Sequence, residues 1–215
     1  MVSRELAGRR FIGGGKTAAA VAYGNLALVL RDLNPKEWRP DDRSWLVAQA
    51  NVHQAVLERA MHAGPVVPAR LCTAFANRGQ LDELVKYNEE RWGKSLQRLA
   101  GKQEWSLHIY AGPHVALHHE PYLLRVATAS AESSAIEGAY APHLRVLWKA
   151  CAHLAFDSRP IEPQANARYV FGAVLLMLET RVEALRAKLM THAQDARALG
   201  ITYYLEGPHP PFNFC

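Results

Sequence analysis

The chain has 215 residues, 49% hydrophobic and 21% charged, with a formal net charge of +5, a composition that excludes wholesale disorder. No run approaches the ~20 consecutive apolar residues of a membrane span, and residues 18–22 are too short an apolar run for a signal-peptide core; a cytoplasmic location is therefore expected. Residues 1–102 carry 16 Lys/Arg against 10 Asp/Glu and residues 103–215 carry 9 against 10, but the positive charges are dispersed and not interleaved with aromatics, so neither a nucleic-acid nor a membrane partner is expected.

Residues 1–22 read as loosely ordered, because Gly13-Gly14-Gly15 costs backbone entropy and supplies nothing to pack. Residues 23–32 read as a strand buried on both faces, Leu26, Leu28 and Leu30 alternating with Ala27 and Val29. A helix is predicted over 44–62, with Leu46, Ala50, His53, Leu57 and Met61 at helical spacing, Asp41, Asp42 or Ser44 to cap it and Gly64-Pro65 to stop it. Residues 66–75 form a short extended run interrupted by Pro68, suited to a sheet edge or an irregular strand. A second helix follows over 77–99. Asn77 and Gln80 resemble a capping box, Glu89-Glu90 are placed on a solvated face, and Gly101 ends the helix.

Trp105, Leu107 and Ile109 alternate over 105–110, a strand signal. Residues 111–121 read as a loop and 122–154 as a long helix that Pro142 kinks or splits. A loop over 157–164, a strand over 167–177, a helix over 179–199 stopped by Gly200, and a strand over 201–206 complete the order. The ending Gly207-Pro208-His209-Pro210-Pro211-Phe212-Asn213-Phe214-Cys215 is too rich in proline for a helix or a central strand. The natural cut lies at 101–103, giving an N-terminal α+β domain over 1–102 and a C-terminal domain over 103–215.

Three constellations invite chemistry. Gly13-Gly14-Gly15-Lys16-Thr17 lacks the first glycine of a phosphate loop, that position being Arg10. His114, His118, His119 and Glu120 cluster in the 111–121 loop, but Pro113 and Pro121 discourage the helix that would align them on a metal. Cys72, Cys151 and Cys215 are odd in number and lie far apart with no C-x-x-C pair, against a disulfide framework or a zinc knuckle. Cys72 sits in an apolar run without a neighbouring base, so it reads as a small hydrophobe. No catalytic residue, metal or cofactor is expected.

Val66-Val67-Pro68-Ala69-Arg70-Leu71-Cys72-Thr73-Ala74-Phe75 resembles the V-x-P-x-R-F-G-T-x-F segment of the gas vesicle F/L accessory family (GvpF/GvpL). Gly101-Lys102-Gln103-Glu104-Trp105 is similar to that family's G-x-x-E-W junction, Tyr122-Leu123-Leu124-Arg125 to its Y-L-x-R helix start, and Gly207 to Phe214 to its G-P-W-P-P-Y-S-F ending. The resemblance spans about residues 26–214 and is that of a divergent member: Leu71 and Cys72 replace Phe-Gly, His209 replaces Trp, and Phe212 and Asn213 replace Tyr-Ser.

The resemblance implies an α+β fold of two domains, the second a ferredoxin-like variant with a long helical extension. It implies a non-enzymatic accessory or minor structural role in gas vesicle formation, in the cytoplasm or at the vesicle, with the hydrophobic shell protein and other accessory proteins as partners. Its motif residues, as structural or interaction positions, are Pro68, Arg70, Thr73, Phe75, Glu104, Trp105, Gly207, Pro208, Pro210, Pro211, Phe212 and Phe214. Arg70 is expected in an internal ion pair or clamping a carbonyl, and the tail is expected to latch within the molecule, its restricted backbone lowering the entropy lost on docking. Two readings from other classes are a small enzyme or ligand-binding domain on a ferredoxin-like scaffold and a nucleic-acid-binding module using the basic first half.

Overall fold

A computed structural model describes residues 1–111, 134–161 and 169–215. The chain forms two compact units, one of residues 1–101 with Pro210–Asn213 and Cys215, the other of Lys102–His209 with Phe214. The sequence reading places the whole tail with the second half; here its residues divide between the two units.

In the first unit, strands β1 (Val2–Ser3), β2 (Arg10–Gly13), β3 (Lys16–Tyr23) and β4 (Leu26–Leu30) form an antiparallel sheet in the order β1-β4-β3-β2. The expected loose ordering of residues 1–22 is thus incorrect. Gly14 and Gly15 both take positive φ, 54° and 73°, between the paired residues Gly13 and Lys16. Two such residues are what a type I′ hairpin turn demands, so the triplet read as disorder is a turn. Gly13 itself lies under helix α1 (Arg43–Ala63), where a Cβ would stand 2.7 Å from the Val52 carbonyl oxygen.

The carboxylate of Asp42 caps α1, accepting from the Ser44 and Trp45 amides at 2.8 and 3.2 Å. Helix α2 (Arg78–Leu99) starts with Asn77 accepting from the Gln80 amide at 3.1 Å, while the Gln80 side chain accepts from the Ala76 amide, one residue earlier than in a standard box. Between the helices only Val66 bridges to a strand residue, Val2. The rest of 66–75 joins no ladder, Pro68 lacking an amide for one, and residues 71–72 form a turn in which Cys72 sits at φ 61°. The unit's core gathers Val2, Leu6, Phe11, Leu57 and Val66.

In the second unit, β5 (Lys102–Ala111), α3 (Ser134–Leu154), β6 (Asp157–Pro160), β7 (Tyr169–Leu178), α4 (Val182–Ala198) and β8 (Ile201–His209) follow in that order. The sheet runs β6-β7-β5-β8 with every neighbouring pair antiparallel. A β-α-β-β-α-β chain in this order is the ferredoxin-like arrangement. The predicted loop over 157–164 is in part strand β6: Asp-Ser-Arg-Pro has no apolar alternation because it lies at the sheet edge, where a terminal proline is tolerated. Strand β8 runs three residues beyond the expected stop at 206, again at an edge. Pro142 lies inside α3, and the predicted first part of that helix, residues 122–133, falls outside the described residues.

Strand β5 turns Trp105, Leu107 and Ile109 into an apolar core with Leu147 and Cys151 of α3, and Leu185 of α4. The alternate residues Glu104, Ser106, His108 and Tyr110 occupy the other face and are also buried. There Tyr110 meets Tyr169 and Tyr204 edge-on at 5.5 and 5.6 Å. Gly172 makes room for the Tyr169 ring, whose hydroxyl fills the space that a Cβ at that position would take. Burial pushes the Tyr169 hydroxyl far up, so it stays protonated.

Candidate functional site

The motif residues fall into three places. The first is the turn after α1. The Arg70 carbonyl accepts from the Thr73 amide at 3.2 Å and from the Thr73 hydroxyl at 2.7 Å, closing a turn with Cys72 as its third residue. On the approach to this turn, His53 of α1 donates from Nε2 to the Ala69 carbonyl at 3.1 Å, tying the Pro68–Arg70 stretch to the helix. Pro68 and Phe75 are half-buried, whereas Arg70 and Thr73 are exposed. The expected ion pair or clamp by Arg70 is not what forms: among the described residues its guanidinium enters no salt bridge, and it is the backbone carbonyl that is held.

The second place is the junction of β5 with β8. Glu104 and Trp105 are buried, and Gly207 packs against both. A Cβ on Gly207 would stand 2.7 and 2.8 Å from Trp105 ring carbons and 3.0 Å from the Glu104 carbonyl oxygen, and its φ is 146°. The ladder shifts register between Glu104 and Ser106, which sets His209 opposite Glu104. On the Trp105 ring lies the Arg186 guanidinium, 5.2 Å from the centroid, a cation–π contact. Sequence places Glu104-Trp105 and Gly207 a hundred residues apart; the fold makes them one site.

The third place is the tail. Pro208 is exposed, Pro210 and Pro211 are buried, and Phe212 packs half-buried against the first unit's core around Val2 and Phe11. Phe214, 2% exposed, lies in the second unit with the Arg159 guanidinium 5.1 Å over its ring. Each phenylalanine of this kind buries ~150–250 Å².

Two residues passed over in the sequence also hold the fold. Glu89, expected on a solvated face, accepts from the Asn25 amide at 2.7 Å and secures the β3–β4 turn, whereas its neighbour Glu90 behaves as expected, pairing with Lys94 at 2.6 Å on the surface. His143 bonds the Tyr203 hydroxyl and stacks on its ring, with His192 edge-on at 6.2 Å. Burial pushes the Tyr203 hydroxyl up to about 12 and the Cys151 thiol up to about 11. Burial likewise raises the Cys72 thiol, opposite to the shift that activates a nucleophile. His114, His118, His119, Glu120 and the 122–125 motif lie outside the described residues. Among the described residues no three His, Cys, Asp or Glu side chains gather as a metal site, and no helix is long and apolar enough to cross a membrane.

The profile of the gas vesicle synthesis protein GvpL/GvpF family matches residues 3–215. The chain belongs to that family. It is 24% identical to the gas vesicle protein L of a Streptomyces species, over 94% of this chain and 84% of that one. Its fold is that of two solved GvpF proteins. The one from an Anabaena species superposes with a TM-score of 0.73 at 14% identity, over 96% of this chain and 91% of the other. The one from Microcystis aeruginosa gives 0.67 at 16% identity, over 95% and 91%. GvpL/GvpF membership gives the chain an accessory role in gas vesicle formation.

Against the GvpL/GvpF pattern, Cys72 stands where the resemblance has glycine, and its φ of 61° explains that glycine. An L-residue held left-handed costs ~1–2 kcal/mol, partly offset because glycine has more freedom to lose on folding. Cys72→Gly is therefore expected to stabilise the protein by about 0.5–1 kcal/mol, read as a higher urea midpoint at unchanged slope.

His53 sets a pH dependence on the same turn. Burial, reinforced by Arg31 nearby, holds its ring below the usual value of about 6.5, while the bond to Ala69 opposes the shift. The unfolded chain then binds more protons than the folded one as pH falls through about 6.5, so this stability is present above that pH and lost below it. His53→Gln, which keeps a donor for Ala69 but does not titrate, is expected to flatten the fall in Tm between about pH 7.5 and 5.5.

Proposed function

We propose that this chain is an accessory or minor structural protein that, in the cytoplasm, binds the small hydrophobic shell subunit and other accessory proteins during gas vesicle assembly. It covers the subunit's apolar surface until the subunit joins the growing shell. The observation that carries this reading is GvpL/GvpF membership over residues 3–215. An apolar monomer aggregates by default, and a groove or an unpaired sheet edge on a second protein is a sufficient cover. The motif residues divide accordingly: Glu104, Trp105, Pro210, Pro211 and Phe214 are buried and, with the half-buried Gly207, hold the fold, whereas Arg70 is exposed and is the motif cation proposed to meet a partner.

Co-expression with the shell subunit, followed by affinity purification, tests the proposal together with deletion of the gene. The shell subunit is expected to co-purify, less of it with Arg70→Ala, and the deletion is expected to abolish pressure-sensitive turbidity. No association together with an undiminished vesicle yield would overturn it.

A further inference from the structure

We infer that the groove between β2 and the last turns of α1 docks an extended acidic segment of a partner protein. The groove, of about 590 Å³, is walled by Arg9, Arg10, Arg59 and His62, and no acidic side chain lines it. All four cationic or ionisable side chains are exposed, and among the described residues none forms a salt bridge. Arg59 and His62 lie one helical turn apart on α1 and so share a face. Three guanidiniums around one groove match carboxylates, which each guanidinium can grip through two parallel hydrogen bonds.

The backbone supplies the second half of the argument. Strand β2 is the end strand of its sheet. Its inner side is engaged with β3, and Ala20 donates to the Arg9 carbonyl at 2.9 Å. The alternation of an antiparallel ladder therefore turns the amides and carbonyls of Arg10 and Ile12 outward. Ile12 is 54% exposed beside them, and Phe11 lies buried beneath. An added strand would take its backbone bonds from Arg10 and Ile12, lay an apolar side chain on Ile12 and, because alternate residues face opposite ways, present its carboxylates on the other face to Arg9 and Arg59. Nucleic acid fits worse, because Phe11 is buried and His62 alone offers an exposed ring, too few for successive bases to stack on. The inference stands apart from shell-subunit capture, which concerns apolar surface, and either can fail without the other.

The probe is a short fluorescent peptide of alternating glutamate and valine, titrated into the full chain and followed by anisotropy. Binding is expected at low salt, weakening as salt is raised. It is expected to fall about tenfold in Arg9→Glu and again in Arg59→Glu, two exposed positions whose variants keep the parent Tm. Lys86→Glu makes the same charge change on α2, away from the groove, and is expected to leave affinity within about twofold. A polyglutamate peptide of equal charge is expected to bind more weakly for want of the contact on Ile12. No binding at low salt, or binding indifferent to the two arginine variants, would overturn the inference. So would tighter binding of a single-stranded oligonucleotide with the same dependence on the arginines.

Discussion

Gly207→Ala is expected to destabilise the protein by about 2–4 kcal/mol, the cost of forcing extra volume into a packed site combined with a backbone conformation that L-residues avoid. Two effects act together here, and a second glycine separates them. Gly101 has a φ of 67°, but a Cβ there meets nothing within 4 Å, so Gly101→Ala isolates the conformational part and is expected to cost about 1 kcal/mol. At Gly207 the Cβ also meets the Trp105 ring at 2.7 and 2.8 Å and the Glu104 carbonyl at 3.0 Å. The ring has little freedom to withdraw, because Trp105 is 5% exposed and, apart from the Arg186 guanidinium on its ring, packs within the apolar core. Urea unfolding followed by tryptophan fluorescence measures both variants. Equal losses at the two positions would mean that the Trp105 ring gives way and that the β5–β8 junction is softer than its packing implies.

The elements that were legible are those whose apolar residues repeat at one period and bury one face. Helix α1, helix α2, strand β5 and helix α4 fall within a few residues of their predicted spans for that reason. The misses have three physical causes. Strand β3 reads Lys-Thr-Ala-Ala-Ala-Val-Ala-Tyr, and alanine carries too little apolar surface to announce a strand that its neighbours bury for it. Strand β6 is an edge strand of polar residues, recruited by pairing with β7 rather than by its own pattern. Glycine is ambiguous in sequence, since the same residue that loosens a chain also permits a type I′ turn. Only the alternation flanking the triplet, Phe11 buried between exposed Arg10 and Ile12, offered a signal for the hairpin.

The candidate site was legible as residues but not as a constellation. The Glu104-Trp105 and Gly207 motifs were recognisable separately, but periodicity carries no information about which distant strands become neighbours. The role of Arg70 differs from the expectation because a sequence does not distinguish a side chain that clamps from a carbonyl that is clamped. Glu89 was read from its helix face alone, and its partner, the Asn25 amide, lies 64 residues away.

The hairpin turn supplies the second large effect, at Gly13. This residue needs no left-handed backbone; it needs the absence of a side chain. A Cβ would stand 2.7 Å from the Val52 carbonyl oxygen, 2.9 Å from Val56 Cγ2 and 3.1 Å from the Val56 amide nitrogen. Two of these three atoms belong to the α1 backbone, which cannot swing aside as a side-chain tip can. Gly13→Ala must therefore push the middle of α1 off the sheet, opening space beside Ala50, Leu57 and Phe11. The expected loss is about 2–4 kcal/mol, with a larger loss for Gly13→Val. Gly15→Asn is the matched control two residues on. Its φ is 73°, a Cβ there meets nothing within 4 Å, and asparagine tolerates that conformation in a type I′ turn. Its expected cost is below about 1 kcal/mol. If Gly15→Asn were as damaging as Gly13→Ala, turn conformation rather than helix-to-sheet contact would set the stability of the first unit.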